Sequence, residues 1–138
     1  MSATTIQSIR PTTVGLGWPR ALGVAGAVVA AVAVWAVAVP ILGISLLIRF
    51  GNTAPEGVGL AAVIGGSLVL SLLGLGLLVG LEKLSANART IWTRAAAVAL
   101  VASLGLPLVA AATPATMGTL ALMHVAAAGV LIPALRRR

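Results

Sequence analysis

Few side chains in this sequence could do chemistry. His124 is the one histidine, and it lies within a turn of the middle of an uncharged, apolar run. Ser103 lies near the middle of the preceding run, and Ser67 and Ser71 bracket the middle of the run before that. These two serines are four residues apart, so on a helix they share a face. If the helix faces converge, the four side chains make one polar layer that could hold a proton, an ion or a ligand headgroup. They also have a plainer use. A histidine in an apolar medium needs a hydrogen-bond partner, and a serine or a backbone carbonyl supplies one. Serines are common in membrane helices, which favours the plainer use.

Other chemistries lack their parts. Nucleophilic catalysis needs a base and an orienting acid beside the nucleophile. His124 could be the base, but the acidic residues are only Glu56 and Glu82, and there is no aspartate or cysteine. A metal site needs several ligands together, and no phosphate-binding GxxxxGK[ST] occurs. No cofactor, metal or catalytic residue is expected. The net charge of +7 does not point to nucleic acid, because the arginines flank apolar runs and form no basic stripe with interleaved aromatics.

A second polar group lies at Leu81–Arg94, LEKLSANARTIWTR, the one strongly polar stretch in the interior. Glu82, Arg89 and Trp92 are its candidate interfacial residues. The stretch reads as a short loop between two spans, with Glu82 paired locally to Lys83 or facing the interface. In Arg49–Gly57, Thr53 and Glu56 have the S/T-x-x-E spacing of a capping box, which makes Glu56 a helix cap rather than a ligand.

The elements that must position these residues follow from composition. Of the 138 residues, 60% are hydrophobic and 8% charged, far below the roughly 25% charge of a soluble domain. The solvent for most of the chain is therefore lipid, and at ~20 residues per span the length allows about four helices. The expected fold is all-α: a polytopic four-transmembrane-helix bundle. A flexible polar tail covers residues 1–20, and the transmembrane domain covers 21–135, with spans at about 21–39, 58–80, 95–112 and 117–135. A basic end covers 136–138. Ala21–Ile48 would reach ~42 Å as one straight helix, so Pro40 is expected to kink or end it near Val39, leaving Ile41–Ile48 as a short apolar segment at the outer face or a tilted extension of the helix. Ala36-Val37-Ala38 resembles a signal-peptide cleavage site, but the apolar run continues past it.

Small residues recur at four-residue spacing: Gly57-Ala61-Gly65, Gly76-Gly80 and Ala95-Ala99-Ser103. Such rows let helix backbones approach closely in lipid. With four spans, eight of the nine Lys and Arg residues fall on one side and Arg49 on the other. The positive-inside rule then places both termini in the cytoplasm, in a bacterial inner membrane.

Leu81-Glu82, Ala88-Arg89-Thr90-Ile91-Trp92-Thr93 and Met123-His124 through Val130-Leu131-Ile132-Pro133 resemble a family of small actinobacterial four-helix membrane proteins of unknown function. The resemblance implies four transmembrane helices and supplies no substrate, cofactor or catalytic residue. The expected role is non-enzymatic, as a homo-oligomer or an accessory subunit of a membrane complex. A small transporter or channel-like protein built around His124 is the alternative, and a lipid-modifying enzyme the third. Small multidrug exporters match in length and helix count but carry an intramembrane glutamate, and here no acidic or basic residue lies near the middle of a span.

Overall fold

The computed structural model describes residues 17–137. It is all-α apart from a small hairpin. Helix α1 spans Trp18–Ala36, strands β1 and β2 span Leu47–Ile48 and Glu56–Gly57, and α2 spans Leu60–Leu84. Then come α3 at Ala88–Ser103, α4 at Gly105–Ala110 and α5 at Pro114–Arg136. Among the described residues, four helical stretches are long and apolar enough to cross a membrane: Trp18–Ile41, Leu60–Leu84, Ala88–Ala110 and Pro114–Arg136. Most of the polar tail read at residues 1–20 lies outside the described residues, as does Arg138; its last part, Trp18–Arg20, is the first turn of α1.

Around Pro40 the first helix widens into a π-helical turn at Val37–Ile41 and stops; there the Leu42 N–H reaches back five residues to the Val37 carbonyl at 3.0 Å. This turn absorbs the proline's missing donor. Gly43 then leaves the helix in the left-handed region, at φ 66°, where a Cβ would be strained. Ala36–Ala38 is thus helix running into the widened turn, with Ala38 buried.

Leu42–Gly59 folds over one end of the bundle. β1 and β2 pair antiparallel, Leu47 with Gly57 and Ile48 with Glu56. The segment between α4 and α5 adds to the other edge of β1: the Arg49 N–H donates to the Ala110 carbonyl at 2.7 Å, and the Ala112 N–H to Leu47 at 2.9 Å. Two-residue strands are too short to show alternation, and the sequence reading missed them. Glu56 sits exposed in β2 and caps nothing; α2 starts from Gly59. The capping-box reading therefore fails, because the hairpin consumes the residues that would have begun the helix.

The polar stretch Leu81–Arg94 is mostly helix rather than loop. Leu81–Leu84 ends α2, Ala88 begins α3, and three residues, Ser85–Asn87, make the connection. In the third span, Pro107 removes the N–H that would bond to Ser103. The helix breaks at Leu104, between α3 and α4. Thr113 caps α5, its hydroxyl accepting from the Thr116 N–H at 3.1 Å.

Helix α1 packs along both α5 and α2. Its approach to α5 depends on glycine: a Cβ added at Gly23 would lie 2.9 Å from the Ala134 Cβ, and one at Gly26 would lie 3.0 Å from Val130. The core has two parts. Val24, Leu75, Leu78, Trp92 and Leu135 fill one end of the bundle, and Ala31, Leu46, Val63 and Met123 fill the hairpin end. Large apolar side chains on α2 and α3, Leu73, Val98 and Val101 among them, point outward. Lipid is the solvent in which that surface is stable.

Candidate functional site

Three of the four polar residues read in the middle of the spans turn back onto their own helix. The His124 Nδ1 lies 2.7 Å from the Leu120 carbonyl. A carbonyl can only accept, so this bond puts the proton on Nδ1. Ser103 donates to Leu100 at 2.7 Å, and Ser67 donates to the Val63 and Ile64 carbonyls. Ser71 is buried. Among the described residues, no hydrogen bond joins one of these four side chains to another.

At the end of the bundle where α1 starts, α2 ends, α3 starts and α5 ends, three charged residues converge. Arg20, in the first turn of α1, donates from Nη2 to both Glu82 oxygens, at 2.7 and 2.8 Å. The two side chains are 16% and 20% exposed. Antiparallel packing of α1 on α2 makes this meeting, since both residues sit at the same depth of adjacent spans. Arg89, in the first turn of α3, brings its Nε within 3.9 Å of Glu82 Oε1, an ion-pair distance without a hydrogen bond. Glu82 is therefore shared between two guanidinium groups. Of the two readings of Glu82 from sequence, a local pair with Lys83 or a contact at the interface, the first does not form: Lys83 is exposed and the carboxylate pairs with Arg20 and Arg89. Arg20 was missed as a partner. Its signal is its position at the start of the first span, on the same side as Glu82.

Trp92 lies one turn beyond Arg89 and is buried. Its indole Nε1–H donates to the Gly74 carbonyl of α2 at 2.7 Å, while the ring packs among Val24, Leu75, Leu78 and Leu135. Trp92 thus locks α3 to α2 and holds Arg89 in register with Glu82. An open depression of about 390 Å³ lies here, lined by Glu82, Ser85, Asn87, Arg89 and Thr90 among others.

The hairpin end holds a hydroxyl site the sequence reading passed over. Thr116 is fully buried. Its Oγ1 donates to the Ser45 carbonyl at 3.2 Å and accepts from the Leu47 N–H at 3.3 Å, while lying 2.9 Å from Thr113 Oγ1. The Trp35 indole donates to the Val58 carbonyl at 3.0 Å. These bonds tie the hairpin to α5 and α1, and they are structural in kind.

Among family models, that of a family of unknown function, DUF6069, matches residues 11–138. Comparison with curated proteins and with solved structures gave no match.

Proposed function

The chain belongs to the family of unknown function DUF6069, and from that premise we propose that it is a non-enzymatic bacterial inner-membrane protein that self-associates through the outer face of α2. Both termini lie in the cytoplasm, following the distribution of Lys and Arg. The observation that carries the proposal is a contrast between glycines. On α1, Gly23 and Gly26 are filled by Ala134 and Val130 of the same chain, whereas a Cβ at Gly65, Gly76 or Gly80 would meet nothing within 4 Å. These three glycines fall within a sector of about 60° at 3.6 residues per turn. Val69, Leu72 and Leu73 project from the same side, all exposed. One face of α2 thus offers both gaps and the side chains to fill them, as a self-complementary interface between two copies requires; α5 has open glycines too, at Gly118 and Gly129, but α2 carries three on one face against two.

Native mass spectrometry of the protein extracted gently from its own membrane tests this. The proposal expects a homo-oligomer that Gly76→Leu dissociates. A single chain, or one chain travelling with a different protein, refutes self-association; the second result makes it an accessory subunit.

A transporter-like reading around His124 has one observation on its side. With Nδ1 committed to Leu120, the Nε2 has no hydrogen-bond partner among the described residues and could meet a ligand donor. His124→Leu tests it: a folded variant with unchanged ligand response removes this reading.

A further inference from the structure

The depression at the Glu82 end combines an under-used cation, neutral donors and an apolar rim. We infer that it receives the phosphate of an anionic phospholipid headgroup, with the Arg89 guanidinium as its principal ligand. Both Glu82 oxygens already accept from Arg20. Arg89 stays 3.9 Å away, its side chain 50% exposed, so the carboxylate balances part of its charge and takes none of its N–H groups. A guanidinium in that condition matches a phosphate, which offers several acceptor oxygens to its fixed fork of donors. Ser85, Asn87 and Thr90 line the same depression and bring further hydroxyl and amide donors. At this end of the bundle Arg20, Lys83, Arg89, Arg94, Arg136 and Arg137 outnumber the one carboxylate, Glu82, so the local balance is cationic.

The rim separates a lipid from a free phosphate ion. Leu84, 85% exposed, lies between Glu82 and Ser85 in sequence, and Ile91, 44% exposed, follows Thr90. Side chains of that kind beside a cation suit the boundary between headgroup and acyl chain, where a lipid covers both.

The test reconstitutes the full chain in vesicles of equal parts phosphatidylglycerol and phosphatidylcholine, then counts each lipid retained by native mass spectrometry. The unmodified protein retains phosphatidylglycerol in preference. Arg89→Gln leaves the Arg20–Glu82 pair intact and lowers that preference roughly tenfold, as expected for the loss of a direct charge-assisted hydrogen bond to the phosphate. Lys83→Gln, which removes an exposed charge outside the depression, lowers it less than about twofold. Added inorganic phosphate leaves the lipid bound. The inference is overturned if the unmodified protein shows no preference, which needs no variant to fold. Equal losses in the two variants also overturn it, since they would mean diffuse surface charge. Displacement of the lipid by inorganic phosphate would assign the depression to a free anion instead.

Discussion

The Arg20–Glu82 pair is the interaction whose worth is most open to measurement. It joins the first turn of α1 to the last turn of α2, and a thermodynamic cycle over Arg20→Gln and Glu82→Gln isolates its contribution. Exposed ion pairs contribute up to ~1 kcal/mol, whereas stripping a partner from a fully buried pair costs ~3–5 kcal/mol. This pair lies between those limits. Its two hydrogen bonds are short, at 2.7 and 2.8 Å, but both leave one nitrogen, and the side chains keep 16% and 20% of their exposure. Glu82→Gln is therefore expected to cost about 2 kcal/mol, since it strips the counter-charge from two arginines. Arg20→Gln is expected to cost less, about 1 kcal/mol, because Arg89 at 3.9 Å can close on the freed carboxylate. The coupling energy should be about 1 kcal/mol. Unfolding in lipid–detergent micelles titrated with dodecyl sulfate gives all four corners of the cycle. A coupling near zero would refute the reasoning, as would Arg20→Gln costing more than Glu82→Gln. The second result would mean that Arg89 does not share the carboxylate.

Other variants test the packing. Trp92→Phe keeps most of the apolar ring and loses the bond to Gly74, so it is expected to cost about 1 kcal/mol in the same assay. Trp92→Ala also opens a cavity, at about 3–5 kcal/mol. Gly23→Val drives a side chain into Ala134 and is expected to destabilise the monomer by about 1–3 kcal/mol, whereas Gly76→Ala leaves its stability within roughly 1 kcal/mol. Thr116→Val keeps the shape and strips the hydroxyl from Ser45 and Leu47; a cost of about 2 kcal/mol and faster amide exchange at Leu47 are expected. Cysteine labelling at Ser85→Cys and Asn52→Cys in intact cells checks orientation, with labelling from outside expected for Asn52→Cys alone.

How much of this was legible in the sequence depended on the length scale of the signal. Spans of twenty apolar residues are unambiguous, because no soluble fold could cover them, and the four-helix class followed from composition. Helix ends were less legible. The polar letters of Leu81–Arg94 looked like a loop, yet a charged residue at the water boundary costs a helix nothing, so both helices continue into the stretch. Pro40 reads as a residue that kinks or ends the first span near Val39, and there the helix widens into one π-turn and stops at Ile41. The hairpin over the far end was invisible because its pairing is between backbones and its strands are two residues long. Glu82 and Arg89 were identified as residues of interest, but the main partner of Glu82 came from a helix more than sixty residues away, and sequence proximity favoured Lys83.

The measurement that tests the central claim most directly is disulfide formation between copies in native membranes. The chain has no cysteine, so single introduced cysteines report without background. The account predicts crosslinked dimers from Gly65→Cys and Gly76→Cys, on the outer face of α2. It predicts none from Leu75→Cys, which is turned into the core, or from Val101→Cys, exposed on α3. Crosslinking at Val101 alone, or none at either glycine in membranes where the protein is folded, would contradict self-association through α2.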